Sequence, residues 1–350
     1  MQAGTGKVKS FYNYGRLLSY NATFNMAVGG RGIGKTYGAK KIVLKAAIKS
    51  GIEDGEQFIL LRRYKEELSL AKNTFMADIQ EQFPDYDFKS QGFSFMAAPA
   101  ETRDDKKRKW HIIGYFISLS TAQSYKGVSF HRVTRIIFDE FILEKSATHY
   151  LPDEAKIFLN FFSTVDRYKD KTKVFFLANS VSIENPYFIE YEITPDKADE
   201  NGFVKVGDGF MIVHFIDSDE FENEVYQTKF GRFIQQTDYA EYAVANKFSD
   251  NHKHLIGGKP SRAKYFLTLE TKSYSMSIWY DAYEGIYYAQ KKRPKVEDIF
   301  VLNPEQVTED KILITFQDKT LGRLRTAFRH GRILFDIPAT RNAFLETFKR

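Results

Sequence analysis

Between Phe24 and Asn179, short apolar and β-branched runs alternate with longer segments whose apolar positions recur at helical spacing. Runs nearly continuous in Val, Ile, Leu and Phe suit strands buried on both faces, so this half of the chain predicts a parallel sheet covered by helices on both sides. The expected strands are Phe24–Val28, Phe58–Leu61, Ile112–Ser118, Val133–Phe138 and Val174–Ala178. Helices are expected over Lys35–Lys49, over Tyr64–Gln82, which Pro84 stops, and from Pro152–Glu154 to Val165. The charge-dense stretch Arg103–Lys109, between two strand candidates, reads as an exposed hairpin tip.

Around Asn185–Gly209 the composition shifts to Pro, Asp, Glu and Gly, which marks the expected end of the first regular core. Asp219–Phe248 reads as mainly helical and is followed by the turn-rich Gly257-Gly258-Lys259-Pro260. Three alternating aromatic runs then follow, Tyr265–Thr271, Ser273–Ala282 and Gly285–Gln290, joined by short turns. They predict an antiparallel meander. The expected organisation is a first domain over 1–208, a linker over 209–258 and a C-terminal domain over 259–350.

The length of 350 residues exceeds what one compact core ordinarily holds, in line with this division. Zero cysteines exclude disulfides, thiolate metal sites and cysteine nucleophiles. No apolar run reaches the roughly 18 residues a spanning helix needs, so a soluble, cytosolic chain with no membrane partner is expected. The formal net charge of +6 is unevenly placed, since residues 251–350 carry 18 Lys plus Arg against 11 Asp plus Glu. That surplus fits a polyanion partner, and equally an ordinary solvated surface.

The strongest chemical signal is Gly29-Gly30-Arg31-Gly32-Ile33-Gly34-Lys35-Thr36, with Tyr37 behind it. It completes the phosphate-binding loop pattern between a predicted strand and a predicted helix. Backbone N–H groups of such a loop turn toward phosphate oxygens, Lys35 balances β- and γ-phosphate charge, and Thr36 offers its hydroxyl to Mg²⁺. A second strand must bring a carboxylate to the metal, and Arg135-Ile136-Ile137-Phe138-Asp139-Glu140 does so. Asp139 would hold Mg²⁺ and Glu140 would polarise the attacking water as general base, which points to ATP hydrolysis. Asn179, ending the strand after it, either senses the γ-phosphate or serves as a strand-end turn residue. Arg167 stands at a domain edge and Lys126 on the loop before the acidic strand, where each either reaches a neighbouring nucleotide in trans or is simply solvated.

These segments resemble a known family. The loop GGRGIGKT, the acidic segment IIFDEFILEK and the segment LANSVSIENPYF are similar to the DNA-packaging (encapsidation) ATPases of phi29-like tailed phages, ASCE-type ring motors related to phage large terminases. The likeness runs from about Ser10 to the C-terminus. It implies a P-loop NTPase domain with a RecA-like parallel sheet, a small helical linker, and an RNase H-like α+β domain that is a degenerate nuclease. It further implies an ATP- and Mg²⁺-dependent motor: a homo-oligomeric ring, a pentamer, docked on the portal of a prohead in the host cytoplasm and moving double-stranded DNA inward.

By motif position the resemblance makes Arg167 the trans-acting arginine finger and Lys126 a second trans-acting basic residue. Arg62, Arg63 and Lys65 match a basic segment that supplies a DNA contact, while the residues alone also read as a charged strand-to-helix corner. A packaging RNA is a further implied partner. In the C-terminal domain the run Tyr265–Thr271 offers only Glu270 near its end, with Asp281 and Asp336 elsewhere, and no triad is evident, so the domain is expected to grip DNA, the portal or RNA rather than cut. Two competing readings stay open: a terminase with an active C-terminal nuclease, and a nucleotide-gated portal adaptor without turnover.

Overall fold

The computed structural model describes residues 12–143, 149–179, 185–193, 195–216, 223, 225–235, 257–271, 274–291, 294, 298–315, 317–329 and 332–347. It divides into two units, Met1–Ser249 and Asp250–Arg350.

In the first unit the described strands are β1 (Phe24–Gly29), β2 (Gln57–Arg62), β3 (Tyr86–Gln91), β4 (Ser94–Pro99), β5 (His111–Ser118), β6 (Val133–Asp139), β7 (Lys173–Asn179), β8 (Phe203–Val206) and β9 (Met211–Phe215). The helices are α1 (Gly15–Ser19), α2 (Lys35–Lys49), α3 (Lys65–Thr74), α4 (Glu154–Asp166), α5 (Pro186–Glu190) and α6 (Lys229–Ile234). One sheet takes all nine strands in the order β3-β4-β5-β2-β6-β7-β1-β9-β8. From β5 to β9 every pairing is parallel, while β3, β4 and β8 close the two ends with antiparallel pairings. The strand β7 separates loop-bearing β1 from acidic β6, as an ASCE-type sheet requires.

Period-two alternation divides the central strands between two cores. Phe24, Met26, Val28, Ile136, Phe138, Val174 and Phe176 pack under α4, and Ala27, Phe58, Leu60, Ile137, Phe175 and Leu177 pack under α2. Both faces are thereby covered, which is why these strands read as continuous apolar runs. The α4 core is aromatic: Phe158 lies 5.6 Å from Phe138 with nearly parallel rings and 4.8 Å from Phe176.

Three expectations need correction. The predicted helix 64–82 ends at Thr74, because Phe75 turns inward to pack at 5.7 Å on Phe58 and 4.9 Å on Phe95. The outer hairpin β3–β4 escaped notice, since β3 is half-exposed and lacks a continuous apolar run. The first domain does not end at 208: β9 pairs in parallel with β1, and the Gly-rich 207–210 stretch is a tight β8–β9 hairpin turn rather than a linker. Of the helical expectation over 219–248, only α6 and its immediate neighbours fall within the described residues.

The second unit forms a six-stranded sheet from β10 (Lys264–Glu270), β11 (Ser275–Asp281), β12 (Ile286–Gln290), β13 (Ile299–Val301), β14 (Lys311–Leu313) and β15 (Ile333–Phe335), ordered β14-β13-β10-β11-β12-β15. The expected meander β10–β12 is antiparallel, and β13, β14 and β15 extend it by parallel pairing, the RNase H-like arrangement. Helices α7 (Lys319–Arg329) and α8 (Pro338–Glu346) cover one face through Leu321, Leu324, Ala343 and Phe344. Among the described residues no helix is long and apolar enough to cross a membrane.

Phe158 is fully buried. Phe158→Ala should destabilise the first unit by about 3–5 kcal/mol and lower its melting midpoint by roughly 10 °C, as read by calorimetry.

Candidate functional site

The carboxyl ends of β1, β6 and β7 deliver the loop, the acids and Asn179 to one edge of the sheet. There they line an open cleft of about 730 Å³ with Arg31, Gly32, Gly34, Lys35, Thr36, Tyr37, Asp139, Glu140 and Asn179. The loop takes its shape from Gly32 (φ +81°) and Gly34 (φ +84°), a backbone only glycine adopts freely. Gly34 caps α2, whose free N–H groups face the cleft. Gly29, Gly30 and Ile33 stand behind the cleft rather than in its wall. Ile33 is buried, and a side chain at Gly29 would sit 2.8 Å from the Cβ of Ile216.

The Lys35 ammonium is buried, donating to the carbonyls of Gly29 (3.0 Å) and Gly30 (2.6 Å) and reaching Asn179 Oδ1 at 3.4 Å. Burial lowers its pKa to about 8 against the attraction of Asp139. The Thr36 hydroxyl donates to Asp139 Oδ1 at 3.1 Å. A hydroxyl and a carboxylate side by side, open to water, form the sparse oxygen set that Mg²⁺ accepts while keeping most of its hydration.

Glu140 follows directly in left-handed backbone (φ +59°), which costs a non-glycine residue about 1–2 kcal/mol and turns its carboxylate out of the strand. That carboxylate is well exposed. Arg62 holds both acids, Nη2 on Asp139 Oδ2 at 2.9 Å and Nη1 on Glu140 Oε2 at 2.7 Å. Burial works against its charge, but Asp139 and Glu140 raise its pKa further, so it stays protonated.

The basic corner therefore differs from the expected DNA contact. Arg62 faces the acids, and Arg63 is 1% exposed, with no surface to offer a phosphate. Arg63 donates to Glu154 from Nε (2.7 Å) and Nη2 (2.9 Å) and to the carbonyls of Glu140 (3.2 Å) and Phe141 (2.8 Å). Tyr187 completes the set with a 2.8 Å hydrogen bond to Glu154. Breaking such a buried pair typically costs 3–5 kcal/mol, which marks Arg63 as an internal brace between β2, the acidic turn and α4. Only Lys65, exposed at the start of α3, keeps the accessibility a polyanion contact needs.

Arg167 and Lys126 line none of this cleft. Helix α4 starts beside the acids, through Glu154, and runs away from them for 13 residues, about 20 Å, before Arg167. Arg167 thus lies at the amino end of β7, at the opposite edge of the sheet from its own cleft, and is exposed there. Lys126 is also exposed, beside Asn160 and Thr164 on the same helix.

Sequence reasoning missed Arg62 as partner of the acids, and Glu67 and Asp78 in the cleft wall. Upstream of β1, three polar side chains are engaged inside the first unit. Tyr14 is buried and donates to the Lys35 carbonyl at 2.7 Å, Tyr12 bonds His214, and Arg16 bonds Asn201. In the second unit the three carboxylates stand apart. Glu270 pairs with Lys311 at 2.5 Å, and Asp281, paired with Arg262, lies at the other end of the sheet. Asp336 follows β15, three strands from β10, and accepts from the Lys291 N–H. Among the described residues no group of three or more His, Asp or Glu could hold a metal.

Comparison with known proteins converges on one family. The sequence profile described as Podovirus DNA encapsidation protein (Gp16) matches residues 7–350. The DNA packaging protein of Bacillus phage phi29 is 33% identical over 343 residues, 97% of each chain. That of Bacillus phage B103 is 34% identical over 337 residues, 95% of this chain and 99% of the relative. Among solved structures, a chain of the bacteriophage phi29 viral genome packaging motor assembly superposes with a TM-score of 0.72 at 31% identity, over 97% of this chain and 98% of that one. The N-terminal domain of the phi29 DNA packaging ATPase covers 60% of this chain and 98% of its own, with a TM-score of 0.51 and 34% identity.

The Lys35 value sets a pH dependence. Phosphate binding favours the ammonium, so above about 8, where the free protein has lost that proton, binding must take one up. Affinity for ATP, measured by titration calorimetry from pH 7 to 9.5, should fall by up to about tenfold per unit above pH 8. Lys35→Arg should flatten that decline.

Proposed function

Because the chain belongs to the podovirus DNA encapsidation protein (Gp16) family and serves in viral DNA packaging, we propose that it is the motor subunit that hydrolyses ATP to drive DNA into a prohead. One observation carries this reading: Lys35, Thr36, Asp139 and Asn179, from three separate strand ends, converge on a single cleft at the mouth of a phosphate-binding loop.

The triphosphate lies along the loop, its charge met by the amides of residues 30–36, by Lys35 and by the α2 N-terminus. Mg²⁺, when bound at Thr36 and Asp139, would neutralise charge on the β- and γ-phosphates. Glu140 accepts the proton of the attacking water, for which it must part from Arg62. Asn179, in reach of the Lys35 ammonium, reports the state of the γ-phosphate to β7. Arg167, remote from its own cleft, completes the site of the neighbouring subunit by stabilising charge on the transferring phosphoryl group, with Lys126 beside it on the same flank. The closed ring this requires is a pentamer on the portal vertex, with a packaging RNA as a further contact.

A packager must ignore sequence, so its grip on double-stranded DNA goes through phosphates. Lys65 and the basic second unit supply such contacts. The separation of Glu270, Asp281 and Asp336 supports a gripping rather than a cleaving role for that unit.

Glu140→Gln should keep ATP affinity within about twofold while DNA-stimulated phosphate release falls roughly 10²-fold or more. Lys35→Ala should abolish nucleotide retention. Undiminished turnover in either variant would sink the motor reading, and ATP retention with no turnover by the unaltered chain, with or without DNA, would return the adaptor reading.

A further inference from the structure

The seven residues from the end of α4 to the start of β7, Asp166-Arg167-Tyr168-Lys169-Asp170-Lys171-Thr172, contain no glycine. Yet Arg167 (φ +54°), Tyr168 (φ +55°) and Asp170 (φ +51°) all adopt left-handed backbone. A helix that merely had to stop would place glycine at this position. Strain retained by bulky side chains persists only where the surroundings over-determine it, and it collects where those side chains have work to do.

The determinant is Asp166. Its carboxylate is 3% exposed and accepts four consecutive backbone N–H groups: Lys169 (2.9 Å) and Asp170 (3.0 Å) on Oδ2, Lys171 (3.0 Å) and Thr172 (2.9 Å) on Oδ1. Burial alone would raise its pKa, but the hydrogen bonds from Thr172, Asp170 and Lys171 outweigh it and keep the carboxylate ionised. Charge-assisted bonds of this kind are the strong class. The Arg167 N–H stays bonded to the Ser163 carbonyl at 2.9 Å, so the loop is anchored on both sides of the arginine. What this frame displays is Arg167, exposed, and Tyr168, 90% exposed. No ion pair holds the Arg167 guanidinium among the described residues.

We propose that Asp166 is a positioning residue for catalysis in the neighbouring subunit: it fixes the 167–172 loop so that Arg167 and Tyr168 are presented as a rigid pair to the adjoining nucleotide site. This rests on the trans role of Arg167. A guanidinium on a mobile loop would have to be ordered at every turnover, whereas one held in place is already oriented toward the transferring phosphoryl. Tyr168 adds an aromatic face beside it that a second copy of this chain would cover.

The test uses full-length subunits assembled on proheads. Asp166→Asn, similar in shape but uncharged, should leave the KM for ATP within about twofold and lower DNA-stimulated kcat by about 10²-fold, the loss expected when a catalytic group is misplaced by about an ångström. Mixing Asp166→Asn with Glu140→Gln subunits should restore turnover, because the latter present an intact loop to the former's intact cleft. A defect confined to the variant's own fold would give no restoration and would overturn the proposal. Arg167→Ala separates the two levels. If it abolishes turnover while Asp166→Asn does not, the positioning role falls and the finger stands; if it leaves turnover intact, the finger itself falls. Should Asp166→Asn fail to assemble, hydrogen exchange on the wild-type ring decides. The amides of 169–172 should exchange at least about 10²-fold more slowly than in an unstructured peptide, and exchange at the free rate would refute the rigid loop.

Discussion

A buried ammonium is what the carboxyl edge of the first sheet is built to accommodate. Lys35 sits on the carbonyls of Gly29 and Gly30 within reach of Asn179, and its charge is held against burial by Asp139. Such a charge is tolerable only where backbone dipoles and a carboxylate surround it. Their supply requires the ends of β1, β6 and β7 to meet. The strand order with β7 between β1 and β6 follows that need, and the two aromatic cores on either face hold the strands in register.

The two adjacent arginines after β2 show how one residue of offset separates functions. Arg62 points to the cleft and neutralises Asp139 and Glu140, whereas Arg63 points to the α4 face and binds Glu154 and the backbone of the acidic turn. The alternation of a strand end puts successive side chains on opposite faces, so a pair of basic residues serves two different sites. Around Glu140, this fixes the backbone through Arg63 while the carboxylate itself is engaged through Arg62. The acid is thus braced at its main chain and held only by an exchangeable ion pair at its side chain.

Helix α4 spans the first unit from that brace to the loop held by Asp166. Its amino end is tied by Glu154, through Arg63, to the acidic turn, and its carboxyl end displays Arg167 at the far edge of the sheet. A single helix therefore has one end beside its own cleft and the other exposed at the far edge of the sheet.

The sequence by itself determined the loop, the acidic strand, the five central strands, helix α2 and the C-terminal meander. Each of these is encoded locally, in glycine spacing, in continuous apolar runs or in period-two alternation. It also carried the family likeness that the comparisons bear out. The tertiary structure decided what depends on residues distant along the chain. Whether a basic residue at a strand end is a DNA contact, a partner of the acids or a core brace turns on which face it occupies and what packs there, as Arg62 and Arg63 demonstrate. The end of the first domain was misplaced because a Gly-Asp-Gly stretch marks a turn equally well inside a sheet or after it, and only the pairing of β9 with β1 distinguishes them. The remoteness of Arg167 from its own cleft is a matter of which way α4 runs, a direction set by packing on the sheet and invisible in the order of residues.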